Sequence, residues 1–236
     1  MISQVKINEI VMWLRKIYGD KPAVIAVSGG VDSAVALTLL VKALGKEKVT
    51  PLCLPYGTQD MTDAKLIIEF NGVLGRMITI NIGEMTDATA NLLQAEESSV
   101  RKGNIMARSR MIILFDTAKR LGALVCGTEN KSEHHLGYFT RFGDSASDVE
   151  PISGLYKTEV WEVAKALKIP EIFLTKEPSA GLWTGQTDEN EMGFSYQDAD
   201  RVLTGDIEGM DSDLVARVNG MVEKNRFKLV VPYMME

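Results

Sequence analysis

The sequence predicts an α/β fold: a doubly wound parallel sheet flanked by helices. Three features predict it. Short apolar runs alternate with segments of helical periodicity. One run, Ala23-Val24-Ile25-Ala26-Val27, is apolar throughout, as a parallel strand covered on both faces must be. A glycine turn and a second apolar helical stretch follow it at once, which is the start of a right-handed crossover unit.

The elements follow in chain order. Ile7, Ile10, Val11, Leu14 and Ile17 form a helical stripe, and Met12 and Trp13 fall off it, so this helix is expected to bury a second face. After the strand at 23–27, Ala34-Val35-Ala36-Leu37-Thr38-Leu39-Leu40 reads as a helix. Further strands are expected at 49–54, 77–82 and 123–126, and helices at 60–74, 84–101 and 104–121. Within the last of these, Met111, Phe115 and Ala118 make the apolar stripe, and Met106 lies outside it, an apolar residue expected, like Met12 and Trp13, to mark an interface. The final third reads as loops and helices, with a capping box at Ser195-x-x-Asp198 and an amphipathic run of Leu214, Val218, Met221 and Val222. No repeat interrupts the pattern, and 236 residues suit a single domain over 1–236.

Composition excludes several classes. The formal net charge of −6, without a long basic run, disfavours bulk nucleic-acid binding. The two cysteines, Cys53 and Cys126, sit in apolar strand-like runs and do not suggest a disulfide framework. Met1 to Lys6 lacks a signal-peptide core and no apolar stretch is long enough to span a bilayer, so the expected compartment is the cytoplasm, with no membrane partner.

The chemistry begins at Ser28-Gly29-Gly30-Val31-Asp32-Ser33, between the strand at 23–27 and the helix after it. Glycines let backbone N–H groups approach phosphate oxygens, and the helix dipole favours negative charge there. The loop lacks the Gly-Lys-Ser/Thr of a Walker A motif and carries Asp32 instead. A carboxylate beside a phosphate site makes sense if it holds a magnesium ion bridging those phosphates. The bland alternative is a strand–turn–helix whose aspartate only caps. Strand carboxyl ends are where ligands bind in such sheets, and Pro55-Tyr56-Gly57 and Gly127-Thr128-Glu129 sit at two more of them. His134 and His135 have no cysteine or third histidine nearby to complete a zinc site.

The Ser28 loop resembles the SGGxDS loop of the ATP pyrophosphatase superfamily, whose fold is Rossmann-like, of the adenine nucleotide alpha hydrolase-like type. Further segments narrow the resemblance: Gly103-Asn104-Ile105-Met106-Ala107-Arg108-Ser109-Arg110-Met111, Gly127 to Glu133, Gly137 to Asp144, Asp148-Val149-Glu150-Pro151, Lys157-Thr158-Glu159-Val160-Trp161 and Glu177 to Leu182. With these the chain resembles the ammonia-dependent, single-domain NAD synthetases. That resemblance implies a ligase that adenylates the nicotinate carboxylate of deamido-NAD with ATP, releases pyrophosphate, and amidates the adduct with ammonia. It implies magnesium as cofactor, ATP as co-substrate and a two-fold homodimer. Position by position, Ser28, Gly29, Gly30, Asp32 and Ser33 match the pyrophosphate loop. Asp32 and Glu133 match magnesium ligands, and Thr128, Lys157 and Ser179 match ATP-contacting positions. Arg108, Arg141, Asp148 and Lys228 match positions that hold deamido-NAD, and Asp144 an acidic residue near the reacting pyridine. Asp32, Lys157 and Asp144 are therefore the expected catalytic set.

The chain departs from the family pattern in three places. Phe227-Lys228 stands where many members have His-Lys, Cys53 where many have arginine, and Gly143-Asp144-Ser145-Ala146 where Gly-Asp-Gly-Gly is common. Competing readings are a nucleotide aminase or tRNA-modifying enzyme sharing only the first loop, and a nucleotide-binding module without catalysis. The latter would be expected to lose Asp32, Glu133 or Lys157, and all three are present. A glutamine-dependent synthetase would need an amidotransferase domain that these residues do not suggest.

Overall fold

The structure, a computed structural model, describes residues 4–183 and 185–230. The first three residues of the segment read for a leader lie outside them. Strands β1 (Ala23–Ala26), β2 (Val49–Cys53), β3 (Ile78–Thr79) and β4 (Leu124–Cys126) form one parallel sheet in the order β3-β2-β1-β4. Ile25 at the centre is flanked by Pro51 and Cys126. Chain progression reverses between β1 and β4, so their carboxyl ends diverge into a crevice.

Helices cover both faces because strand side chains alternate. Ala23 and Ile25 join the larger core, packed with α1 (Gln4–Tyr18), α2 (Val31–Leu44), α3 (Thr62–Phe70) and α7 (Lys157–Ala166). Val24, Leu52 and Val125 face the other way, onto Met106, Leu114 and Ala118 of α5 (Ser99–Leu121). A separate cluster of Leu136, Phe194, Tyr196, Ala199, Val202 and Val218 ties together α6 (Lys131–Leu136), α10 (Tyr196–Thr204) and α11 (Ser212–Asn225). The remaining helices are α4 (Gly83–Leu92), α8 (Ile172–Thr175) and α9 (Asp188–Met192).

Several expectations change in detail. The helix read over 84–101 is two: α4 ends at Leu92, and α5 starts at Ser99 with the Ser98 hydroxyl accepting from Arg101 N–H. The break is stabilised locally. Gln94 takes a left-handed φ of 50°, and the Arg101 guanidinium donates to the carbonyls of Leu93 (2.9 Å) and Gln94 (3.0 Å), satisfying the orphan end of α4. Met106, read as an unexplained apolar residue at an interface, is 2% exposed and packs under α5 against the sheet. Tyr18 rather than Ile17 completes the buried stripe of α1, while Met12 and Trp13 are exposed, so the second face of that helix is not covered within this chain. The strand read over 77–82 is the two-residue edge strand β3. At α10 the Ser195 hydroxyl accepts from Asp198 N–H (3.0 Å) and donates to the Asp198 carboxylate (2.7 Å), so the box closes on the cap's hydroxyl. Both cysteines are free and buried. Among the described residues no helix is long and apolar enough to cross a membrane.

Candidate active site

A cavity of about 970 Å³ lies at the carboxyl ends of β1, β2 and β4. Ser28, Gly30, Asp32 and Ser33 form one wall, Gly127, Thr128 and Glu133 another, and Asn104, Ala107, Arg110 and Met111 of α5 a third. The Ser28 loop is fixed before any ligand arrives. Gly29 sits at φ 85°, and a Cβ there would lie 3.0 Å from both the Ala64 nitrogen and the Asp63 Cβ, so the turn requires glycine. The Ser33 hydroxyl donates to the Gly30 carbonyl (3.0 Å) and accepts from Ser28 N–H (3.3 Å). Gly30 caps α2 with no side-chain hydrogen bond, so the helix presents uncapped N–H groups at the cavity wall.

A group of charges meets the cradle at Asp32. Lys157, first residue of α7 and 2% exposed, donates from Nζ to Asp32 Oδ2 (2.6 Å) and Glu133 Oε1 (3.3 Å). Burial alone would lower the pKa of Lys157, but the two carboxylates more than offset that and raise it, so the lysine stays charged. Burial pushes the Glu133 carboxyl up to about 8, against the opposing pull of Lys157. Asn130, missed in the sequence reading, organises the group. Its side chain accepts from Glu133 N–H (3.0 Å) and donates to Asp32 Oδ1 (2.9 Å), while Glu133 Oε2 accepts from Asn130 N–H (3.3 Å). The capping box Asn130-x-x-Glu133 was visible in the sequence and could have flagged it.

The other site residues divide between the cavity and its surroundings. Thr128, Asp144, Ser179 and Lys228 line the cavity. The Ser179 hydroxyl donates to the Gln186 carbonyl (2.7 Å), and Asp188 accepts from Ala180 N–H (3.1 Å), which ties together four residues of the cavity wall. Asp144 accepts from Thr140 N–H (2.9 Å), and burial raises its pKa. Lys228 donates to the carbonyls of Gly137 (2.6 Å) and Phe139 (2.9 Å), holding the loop that carries Tyr138. Arg108, Arg141 and Asp148 are not among the lining residues. Arg108 donates to the Arg141 carbonyl (3.2 Å), Arg141 lies over the Phe142 and Phe227 rings, and Asp148 accepts from Val125 N–H (2.8 Å) at the sheet. The arginine of α5 that does reach the cavity is Arg110, bonded to the Leu54 carbonyl (3.0 Å) and Gln59 (3.1 Å), with its pKa lowered to about 10 by burial. The four-residue spacing that puts Arg108 on the Asn104 face favours the wrong arginine, because the cavity face of α5 is Asn104, Ala107, Arg110, Met111 and Leu114. Cys53 is buried in the sheet 3.6 Å from Met77 Sδ and does not line the cavity. His134 pairs with Glu129 (2.8 Å).

A Cβ at Gly127 would overlap the carboxylate of Glu150, so any side chain there would have to displace that group from its hydrogen bonds. Glu150 accepts from Ser147 Oγ (2.7 Å) and Glu129 N–H (3.0 Å), and burial raises its pKa from 4.5 to about 8. A carboxyl whose pKa rises on folding stabilises the fold fully below about 4.5 and loses that contribution as pH climbs through 8. Glu150→Gln is therefore expected to flatten the fall in thermal midpoint between pH about 5 and about 8.5. An unchanged fall in the variant would refute this account of Glu150.

The family described as NAD synthase matches residues 6–232. An NH(3)-dependent NAD(+) synthetase of Pyrococcus horikoshii is 44% identical over 239 residues, covering 96% of this chain and 92% of that one. Among solved structures, an NMN synthetase from Francisella tularensis superposes with a TM-score of 0.91 at 36% identity over 100% of both chains. An NH3-dependent NAD synthetase from Campylobacter jejuni does so with a TM-score of 0.84 at 30% identity, again over 100% of both.

Proposed function

From the premise that the chain belongs to the NAD synthase family, we propose that it is an ammonia-dependent NAD synthetase acting as a single cytoplasmic domain. The enzyme is a carbon–nitrogen ligase. The nicotinate carboxylate of deamido-NAD attacks the α-phosphorus of ATP, pyrophosphate leaves, and ammonia attacks the acyl adenylate to give NAD and AMP. A free carboxylate is a poor acyl donor, and adenylation supplies the leaving group. The observation that carries this reading is the meeting of Lys157 and Glu133 with Asp32 at the uncapped N-terminus of α2, in one cavity at the sheet's switch point.

Each residue has a physical task. Ser28, Gly29, Gly30 and Ser33 shape the cradle that takes the pyrophosphate. Lys157 neutralises charge on the departing phosphates. Thr128 and Ser179 contact ATP from the cavity walls. Asp144 accepts a proton from bound ammonium, a task suited to a carboxyl whose pKa burial has raised. Lys228 orders the wall against the nicotinate end. Arg108, Arg141 and Asp148 serve the part of the dinucleotide that extends beyond the cavity.

The donor set also fits magnesium. Asp32 and Glu133 are hard oxygen donors already facing a cation, the Lys157 ammonium. Magnesium takes one or two carboxylates and fills the rest of its shell with phosphates and water. Held by Asp32 and Glu133, magnesium would neutralise the phosphates during transfer. We also assign a homodimer, supported by the uncovered apolar face of α1 at Met12 and Trp13.

A mononucleotide substrate is the second reading, favoured by the full-length superposition on the Francisella NMN synthetase. One assay decides. With ATP, magnesium and ammonium chloride, purified protein is expected to convert deamido-NAD to NAD and AMP with a higher kcat/KM than it converts nicotinate mononucleotide. The reverse ranking selects the mononucleotide. Glutamine as sole nitrogen source is expected to give no turnover, and comparable rates with ammonia excluded would overturn the ammonia-dependent reading.

A further inference from the structure

We propose that Asp200 is the positioning residue for Lys157 and sets ATP affinity through that lysine. The proposal rests on the assignment of Lys157 to the ATP phosphates. Asp200 lies on α10, is 5% exposed, and is not among the residues lining the cavity. Its carboxylate nevertheless receives the start of α7. Oδ2 accepts from Thr158 N–H (2.9 Å) and from Thr158 Oγ1 (2.8 Å). Oδ1 accepts from the Ser132 hydroxyl, and that hydroxyl accepts from Lys157 N–H (2.8 Å). The backbone N–H groups of Lys157 and Thr158 thus end on one buried carboxylate, directly or through one hydroxyl. A negative charge there also opposes the positive end of the α7 dipole.

The same helix supports the other end of the lysine. Tyr196, one turn before Asp200, lies with its ring 4.8 Å from Lys157 Nζ and donates its hydroxyl to Asp188 (3.1 Å). Residues four apart share a helix face, so α10 holds the Lys157 backbone with Asp200 and its ammonium with Tyr196. Ser132 adjoins Glu133 on α6, so the carboxylate that orients Lys157 also fixes the segment carrying one of its partners. Three donors converge on two carboxylate oxygens. An asparagine offers a single acceptor oxygen and turns an amide NH2 donor toward either Ser132 or Thr158. A side chain displaced by about 1 Å at a reacting centre loses up to about a hundredfold in rate.

The test is calorimetry of ATP binding, with magnesium, to the purified protein. Asp200→Asn is expected to weaken ATP on the order of tenfold. Val202→Ala serves as the control: it removes a buried side chain of the same helix that packs in the α6–α10–α11 cluster. It should lower the thermal midpoint while changing ATP affinity less than about twofold. Lys157→Met should weaken ATP by itself, and adding Asp200→Asn to it should cause no further loss, since both act through one group. If the two losses instead add, or if Val202→Ala weakens ATP as much as Asp200→Asn does, Asp200 is not a positioning residue for Lys157. If Lys157→Met alone leaves ATP affinity intact, the phosphate assignment is wrong and the proposal falls with it.

Discussion

Replacing Asp32 by asparagine is expected to lower turnover by about a hundredfold or more, with the fold retained. Both carboxylate oxygens of Asp32 are engaged, Oδ1 by the Asn130 side chain (2.9 Å) and Oδ2 by Lys157 (2.6 Å). An asparagine keeps one acceptor and turns a donor toward either the Asn130 amide or the Lys157 ammonium, so one contact is lost whichever way it faces. It also removes the charge proposed to hold magnesium against the phosphates. Steady-state kinetics beside a thermal melt would separate the two effects. Turnover near the wild-type value would sink the assignment of Asp32.

Lys157→Met is expected to have the largest effect on stability. Methionine fills similar space but leaves Asp32 and Glu133 facing one another without the cation between them. Removing one partner from a buried charge group is costly because the other charges stay buried. Both carboxylates keep some contact with solvent, so the expected loss is roughly 2–3 kcal/mol. The sign with pH follows from Glu133. Its pKa is already raised from 4.5 to about 8 by burial, and losing the lysine pushes it further the same way. A carboxyl raised on folding favours the fold at low pH and opposes it as pH climbs past its ordinary value. The deficit of the variant relative to wild type should therefore stay level while native Glu133 is protonated in both and widen as pH climbs past about 8, where the wild-type carboxyl ionises beside the lysine. Denaturant unfolding at several pH values would measure it, and equal stability across the range would mean that Lys157 is no counter-ion to this pair.

The larger part of the fold was legible because local pattern and tertiary packing demand the same residues. Ala23 to Val27 is apolar on both faces, and both faces are covered by helices. The break between α4 and α5 was not legible. It depends on Arg101 reaching back to the Leu93 and Gln94 carbonyls, and nothing in helical periodicity marks a residue that caps its predecessor helix from inside the next. Met106 was misjudged for a related reason: α5 packs against the sheet on one side and the cavity on another, so its apolar surface is wider than one stripe.

The site shows the same division. The sequence by itself determined the shape of the cradle at Ser28 to Ser33, since a strand, a glycine turn and a helix start within a dozen residues leave little conformational choice. Through family motifs it also pointed to Asp32, Glu133 and Lys157 as the charged groups of the proposed site. Only the tertiary structure decided how they meet: Lys157 lies between two carboxylates from distant parts of the chain, Asn130 bridges them, and Asp200 of α10 carries the helix that delivers the lysine. It also decided that Arg110 rather than Arg108 enters the cavity and that Lys228 bonds loop carbonyls. The reason is physical. Local backbone preferences act over a few residues and can be read in order, whereas a buried ammonium finds its counter-charges wherever the packed core brings carboxylates within about 3 Å.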